Sequence, residues 1–306
     1  GMIGGTMALI AAQQELGAVV LLDIPAAVGT AKGKALDIQE LRPIAGFDVE
    51  VTGTSDYADI AGSDVVIVTA GVPRKPGMSR DDLLGINLGI IENVAVNLKK
   101  HCPDAFVIVI TNPLDAMVYR MQQVTGFAPH KVCGMAGVLD SARLRYFLAD
   151  AIGIASSNVQ AMVLGGHGDS MVPLISSANA GGVPIETLLD ADTIAAVVKR
   201  TRAAGGEIVA LLGNGSAFYS PAAAALQMAE AYLRDHKAVL PVAAQLNGEY
   251  GLSGFYFGVP AIIGAGGVES VLEVPLSTAE RTALDASADE VRRLCAEIDE
   301  RNAAKV

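Results

Sequence analysis

With 306 residues the chain exceeds what one hydrophobic core usually organises, so two lobes are expected. Its formal net charge of −11 argues against a nucleic-acid partner, and no polybasic segment marks a membrane surface. Hydrophobic residues make up 51% and mean hydropathy is +0.41, yet no apolar run approaches the ~18–20 residues of a membrane span, so a membrane partner is not expected either.

The chain opens on Gly1-Met2-Ile3-Gly4, ahead of an alanine-rich helix expected over 6–15 and a strand expected over 19–24 that carries Asp23. Against the pattern G-x-G-x-x-G, Gly1 and Gly4 take the second and third glycine positions. Asp23 follows about twenty residues on, where a carboxylate accepts hydrogen bonds from an adenosine ribose while pyrophosphate rests on the helix N-terminus. A 2′-phosphate beside Asp23 would be repelled, so the pattern favours NAD over NADP. Taken alone, the half-fingerprint reads equally as a glycine turn before a helix.

Alternation continues with a helix over 29–41, a strand over 49–52, a short helix over 57–61 and a strand over 65–70. A helix over 81–101, a strand over 106–111, a helix over 113–125 and a short strand over 132–134 follow. Val/Ile-rich strands alternating with helices are the signature of an α/β fold, a doubly wound parallel Rossmann sheet buried on both faces. Ligands of such sheets sit beyond the carboxyl ends of the strands, where Asp23, Thr69-Ala70-Gly71 and Thr111-Asn112-Pro113 fall. Asn87, on the following helix, is either a further cofactor contact or a surface amide.

The segment 71–82 concentrates Arg74, Lys75 and Arg80 around Pro76-Gly77 in an otherwise acidic protein. It reads as a solvated basic loop or as a lid whose guanidinium groups fork onto a carboxylate. Near residue 137 the pattern changes. Asp140 and Arg143 open a helix reaching 152 and share a face, as a surface ion pair unless that face meets His167.

His167 stands in Leu164-Gly165-Gly166-His167-Gly168-Asp169-Ser170, directly after the strand expected over 159–164. Glycines on both sides let the backbone turn and a ligand approach, which makes the imidazole a candidate proton carrier; the alternative is a loop histidine bonded to a carbonyl. Helices over 185–189, 192–212, 221–235 and 277–302 and strands over 239–246, 254–259 and 269–271 describe an α+β second part. Cys102, Cys133 and Cys295 show no metal-type spacing, so no metal site is expected. Their odd number, with no visible signal peptide, fits a reduced, cytoplasmic setting.

Five segments together resemble the lactate/malate dehydrogenase family, most closely its lactate-dehydrogenase-like bacterial malate dehydrogenases. They are the partial fingerprint with Asp23, Val-Thr-Ala-Gly-Val-Pro-Arg-Lys-Pro-Gly-Met-Ser-Arg-Asp-Asp-Leu-Leu (68–84), Val-Ile-Thr-Asn-Pro-Leu-Asp (109–115), Gly-Met-Ala-Gly-Val-Leu-Asp-Ser-Ala-Arg (134–143) and Gly-Gly-His-Gly-Asp (165–169). They recur in family order over essentially the whole chain. The resemblance implies an NAD-binding Rossmann domain over 1–136 and an α+β catalytic domain over 137–306. One departure is the family's first strand and first fingerprint glycine, which do not occur here. About nine or ten residues are therefore expected ahead of Gly1, without which two strands lack their neighbour and cofactor binding is in doubt.

Residue by residue, the resemblance implies His167 as general acid/base, oriented by Asp140. Arg80 would polarise the substrate carbonyl, Arg143 would fork onto the C1 carboxylate, and Asn112 would bond the substrate oxygen. The implied NAD contacts are Gly1, Met2, Ile3, Gly4, Asp23, Thr69, Ala70, Gly71, Asn87, Ile110, Thr111 and Asn112. Arg74 is the discriminating position, since a second guanidinium suits a second carboxylate and hence a small dicarboxylate, malate or oxaloacetate. A homodimer or homotetramer is implied as well. Lactate dehydrogenase and a non-catalytic NAD-binding protein stay open as alternatives.

Overall fold

The computed structural model describes residues 1–72 and 80–303. Its first part contains helix α1 (Met2–Gln13), strand β1 (Val19–Leu22), helices α2 (Val28–Glu40) and α3 (Arg42–Ala45), strands β2 (Val51–Thr54) and β3 (Val65–Val68), helix α4 (Arg80–His101), strand β4 (Phe106–Val109), helix α5 (Leu114–Thr125) and strand β5 (Val132–Gly134). The chain goes on through α6 (Gly137–Ile152), β6 (Val159–Leu164), β7 (Val172–Ala180), β8 (Val183–Pro184), α7 (Ala191–Leu212), α8 (Tyr219–Leu233), β9 (Ala238–Asn247), β10 (Ser253–Gly264), β11 (Gly267–Val271) and α9 (Thr278–Ala303).

Periodicity explains most of these elements. In α4 the buried Leu84, Leu88, Ile91, Ala95 and Leu98 recur at helical spacing and face the Val/Ile strands, among which β4 is buried at every position. In α8 the buried Ala222, Ala225 and Ala229 bring the helix close to the sheet, and Tyr232 stacks on Phe106 of β4 with ring centroids 4.6 Å apart. In α9 an apolar stripe of Leu284, Ala288, Val291, Cys295 and Ile298 packs inward.

Several elements depart from the sequence expectation, the unexpected α3 and β8 and the 3-10 turn Tyr57–Ile60 in place of the helix over 57–61 among them. The first helix begins at Met2 rather than near 6, because Gly4 and Gly5 are taken into it. Their intrinsic helix cost of about 1 kcal/mol each is offset by the buried Met7, Ala8, Ala11 and Ala12. The helix expected over 185–189 is a single 3-10 turn, Ile185–Thr187. Strand β7 was not anticipated, since Pro173, Ser176, Ser177 and Asn179 blur its alternation; antiparallel pairing with β6, with a register shift between Gln160 and Met162, overrides that weak local preference.

Strands β3, β4 and β5 are parallel, and β5 meets β9 in antiparallel fashion, so one six-stranded sheet in the order β11-β10-β9-β5-β4-β3 runs across residues 136/137. Its second half is the long β9–β10 hairpin with β11 at its edge, all paired in antiparallel fashion. Strands β1 and β2 pair in parallel as a separate two-stranded sheet, and β6, β7 and β8 form a third. Among the described residues neither β1 nor β3 pairs with a strand on its other side, and all four residues of β1 are only half-buried, unlike those of β4.

Candidate active site

Helix α6 lies along β6 because Ser141 Oγ accepts the Val163 N–H at 2.9 Å and Arg145 Nε donates to the Val159 carbonyl at 2.7 Å. That docking turns the Asp140/Arg143 face towards the loop leaving β6. His167 Nδ1 stands 2.8 Å from Asp140 Oδ2, and Arg143 Nη1 donates to Asp140 Oδ1 at 3.1 Å. The Asp140 side chain is 2% exposed, whereas those of His167 and Arg143 are 14% and 13% exposed, so the acid is the inner member and the two cations face the opening. Arg143 Nε is buried with no protein partner among the described residues. A guanidinium edge in that state is a ready receptor for a carboxylate.

Burial pulls the His167 pKa down, but the charge and hydrogen bond of Asp140 and the charge of Asp115 outweigh it. The net direction is upward, against a smaller opposing effect of Arg143. With Nδ1 committed to Asp140, Nε2 is the nitrogen left to exchange a proton.

The histidine loop is held on every side. Gly165 has a φ of +89°, a conformation that favours glycine, and its N–H donates to the Gly258 carbonyl at 2.8 Å. A Cβ on Gly258 would come within 2.2 Å of the Gly165 oxygen, so only glycine permits this approach of β10. The Gly166 N–H donates to Ser287 Oγ of α9 at 2.9 Å, and the His167 N–H to Asp115 Oδ2 of α5 at 3.0 Å.

At the strand ends on the other side, Gly4 stands beside Thr69, with Thr69 Oγ1 4.0 Å from where its Cβ would be. Thr111 Oγ1 donates to the Ala70 carbonyl at 2.7 Å, and a Cβ on Gly71 would sit 2.6 Å from Thr111 Cγ2. No side chain caps the N-terminus of α1, where Gly1 and Met2 are exposed and Ile3 and Gly4 half-buried. Asp23, a third exposed, holds the N–H of Ile24 at 2.9 Å and lies 3.5 Å from the Gly1 nitrogen. Exposed helix-start amides, a carboxylate next to them, and the exposed Gly71 and Asn112 fit a dinucleotide laid along these strand ends. Ile110 is buried, with its N–H bonded to the Val68 carbonyl.

Of the two sequence expectations for Asn87, the structure removes the surface amide. It is 1% exposed; Oδ1 accepts the Val72 N–H at 2.8 Å, while Nδ2 donates to the carbonyls of Asn112 at 2.7 Å and Val72 at 3.2 Å. Its amide ties two strand-end loops together, so the surface-amide alternative does not apply. Arg74 and the side chain of Arg80 lie outside the described residues. Asp115 escaped the sequence reading although it stands in the quoted Thr-Asn-Pro-Leu-Asp run. The available signal was a carboxylate three residues before Val118 on the apolar face of α5.

The model of the lactate/malate dehydrogenase NAD-binding domain matches residues 1–134, and that of the lactate/malate dehydrogenase alpha/beta C-terminal domain matches 137–303. The chain is 60% identical over 299 residues to malate dehydrogenase 1 of Anaeromyxobacter dehalogenans, covering 97% of this chain and 95% of that protein. Among solved structures, the malate dehydrogenase of Cryptosporidium parvum superposes with a TM-score of 0.94 at 46% identity, over 98% of this chain and 96% of that one. The lactate dehydrogenase of the same organism, bound to lactic acid and nicotinamide adenine dinucleotide, gives 0.94 at 49%, over 98% and 95%. Since these matches run through both halves, across the strand ends and the His167 loop alike, the chain belongs to the lactate/malate dehydrogenase family.

Proposed function

We infer that the protein is an NAD-dependent malate dehydrogenase, converting (S)-malate and NAD+ reversibly to oxaloacetate and NADH. The observation that carries this reading is the His167–Asp140–Arg143 cluster at the mouth of β6, in a chain 60% identical to the Anaeromyxobacter malate dehydrogenase. NAD, when bound, supplies the acceptor or donor of the hydride.

In this reading His167 Nε2 takes the malate hydroxyl proton during oxidation and returns it to the carbonyl oxygen during reduction. Asp140 keeps Nδ1 protonated and steadies the charged ring. Arg143 turns its unpartnered edge to the C1 carboxylate, Arg80 polarises the carbonyl oxygen, and Arg74 receives the second carboxylate. Asn112 bonds the substrate oxygen, and Asp23 holds the ribose hydroxyls and repels a 2′-phosphate.

A steady-state comparison of oxaloacetate and pyruvate, each with NADH and NADPH, tests the reading. Strong preference for oxaloacetate and NADH is expected. Comparable rates with pyruvate favour the lactate reading, to which the 49% identity with the Cryptosporidium lactate dehydrogenase gives weight.

The working form is a homodimer or homotetramer in the cytoplasm. Support for the assembly comes from the exposed apolar Leu36 and Ile44, 61% and 82% accessible on α2 and α3. Light scattering on the purified protein measures the assembly directly.

A further inference from the structure

Resting on that reading, a second buried carboxylate stands behind the catalytic ring and has no part in the mechanism above. Asp115, in the first turn of α5, is 4% exposed. One oxygen, Oδ2, accepts the His167 N–H at 3.0 Å, and the other, Oδ1, is buried with no protein partner among the described residues. Among the described residues no cation pairs with it in the way Arg143 pairs with Asp140. The acid is therefore held in a dry place, against the residue that must carry a positive charge during turnover.

We propose that Asp115 is a positioning residue for the reaction, a second anion that anchors the main chain of His167 and stabilises its imidazolium form, so that the ring stays charged until it delivers its proton to oxaloacetate. The balance of charges that act on the ring among the described residues supports this. With the ring protonated, Asp115 and Asp140 face His167 and Arg143, two anions against two cations; with the ring neutral, one negative charge is left over in a medium that solvates it poorly.

The groups that act on the pair, element by element, are Asp140 and Arg143 on α6 and Cys295 on α9, with Asp299 a turn further along. Asp299 is engaged by Tyr119 and Gln123, and Cys295 is a buried thiol whose pKa is pushed up to about 12, so neither competes for the role near neutrality. Burial raises Asp115 itself to about 6, with the His167 N–H and ring charge opposing, so its charge is lost as pH falls below that value. Its support for the imidazolium is then complete only above about that pH.

The test is Asp115→Asn, which preserves an acceptor oxygen for the His167 N–H and removes the charge. In the ligand-free protein, the NMR titration midpoint of the His167 ring, assigned by its absence in His167→Asn, is expected to fall by about half to one pH unit. In turnover, the alkaline limb of oxaloacetate reduction and the acid limb of malate oxidation are both expected to move down by the same amount. Reduction above the midpoint then slows about three- to tenfold with KM for oxaloacetate unchanged.

A variant that is slower in both directions with neither limb nor midpoint displaced has lost only structure, and the proposal fails. If Asp115→Asn does not fold, the wild-type protein decides: the Asp115 carboxyl carbon and the His167 ring are followed together against pH. A ring titration that shows no inflection at the Asp115 step overturns the idea. The ring titration needs no substrate, so its outcome stands even if the assay shows that oxaloacetate is not the preferred acid.

Discussion

Asp140 divides one carboxylate between the two cations of the site, Oδ2 at 2.8 Å from His167 Nδ1 and Oδ1 at 3.1 Å from Arg143 Nη1. The proton carrier and the carboxylate receptor are thereby held in a common frame by a side chain that is itself out of solvent. A substrate gripped by Arg143 is presented to the imidazole without either group having to search.

Replacing Asp140 with Asn removes the anion that raises the His167 pKa and frees the ring to rotate. Reduction of oxaloacetate is expected to fall by at least about 10²-fold, with its alkaline limb displaced to lower pH. Rate profiles over about pH 5.5–9 check both parts; a slower enzyme with the limb in place would contradict the assigned role.

His167→Asn leaves the main-chain bond to Asp115 available, so the fold is expected to survive. Turnover in both directions should drop by about 10³-fold or more, while NADH still binds by fluorescence titration. Residual activity within tenfold of wild type would remove His167 from the chemistry.

Arg74→Gln takes away the guanidinium assigned to the second carboxylate. The kcat/KM for oxaloacetate is expected to fall by about 10²-fold, and that for pyruvate to rise as an uncompensated cation leaves the pocket. An unchanged oxaloacetate-to-pyruvate ratio would move specificity to another residue.

Glu280 closes a capping box at the start of α9, Oε2 accepting the Ser277 N–H at 2.8 Å and Ser277 Oγ the Glu280 N–H at 3.3 Å. The same carboxylate accepts the Ser176 N–H at 3.1 Å and its hydroxyl at 2.6 Å, joining α9 to β7. Glu280→Ala is expected to cost about 2–3 kcal/mol in denaturant unfolding. Burial raises the pKa, but the bonds from Ser176 and Ser277 bring it below the usual 4.5. The folded value lies under the unfolded one, so this contribution is present above about 4.5 and fades as pH falls through the folded value. The gap between wild type and variant should therefore narrow in acid and hold steady above about pH 6.

Strand and helix alternation, the half-fingerprint with Asp23 and the Gly-Gly-His-Gly segment could be read from the chain because each is a local pattern. Side-chain period, glycine placement and charge spacing are properties of neighbours in sequence. By the same logic Asp140 and Arg143 could be placed on one helix face, but whether that face met His167 could not be known. Helix α1 and strand β7 show the complementary limit, where packing and pairing outweighed glycine content and weak alternation.

The sequence alone determined the residue types and their local order: an α/β alternation, a carboxylate suited to a ribose, an imidazole between glycines and cations in an acidic protein. Only the tertiary structure decided which of them meet. It closed the 27-residue separation of Asp140 and His167, brought Asp115 up behind the ring from 52 residues away, turned Asn87 inward and carried the main sheet through β9 into the second half. The reason is that these contacts depend on how α5, α6 and β6 pack against one another, and that packing is set by apolar surfaces distributed over the whole chain rather than by any stretch of it.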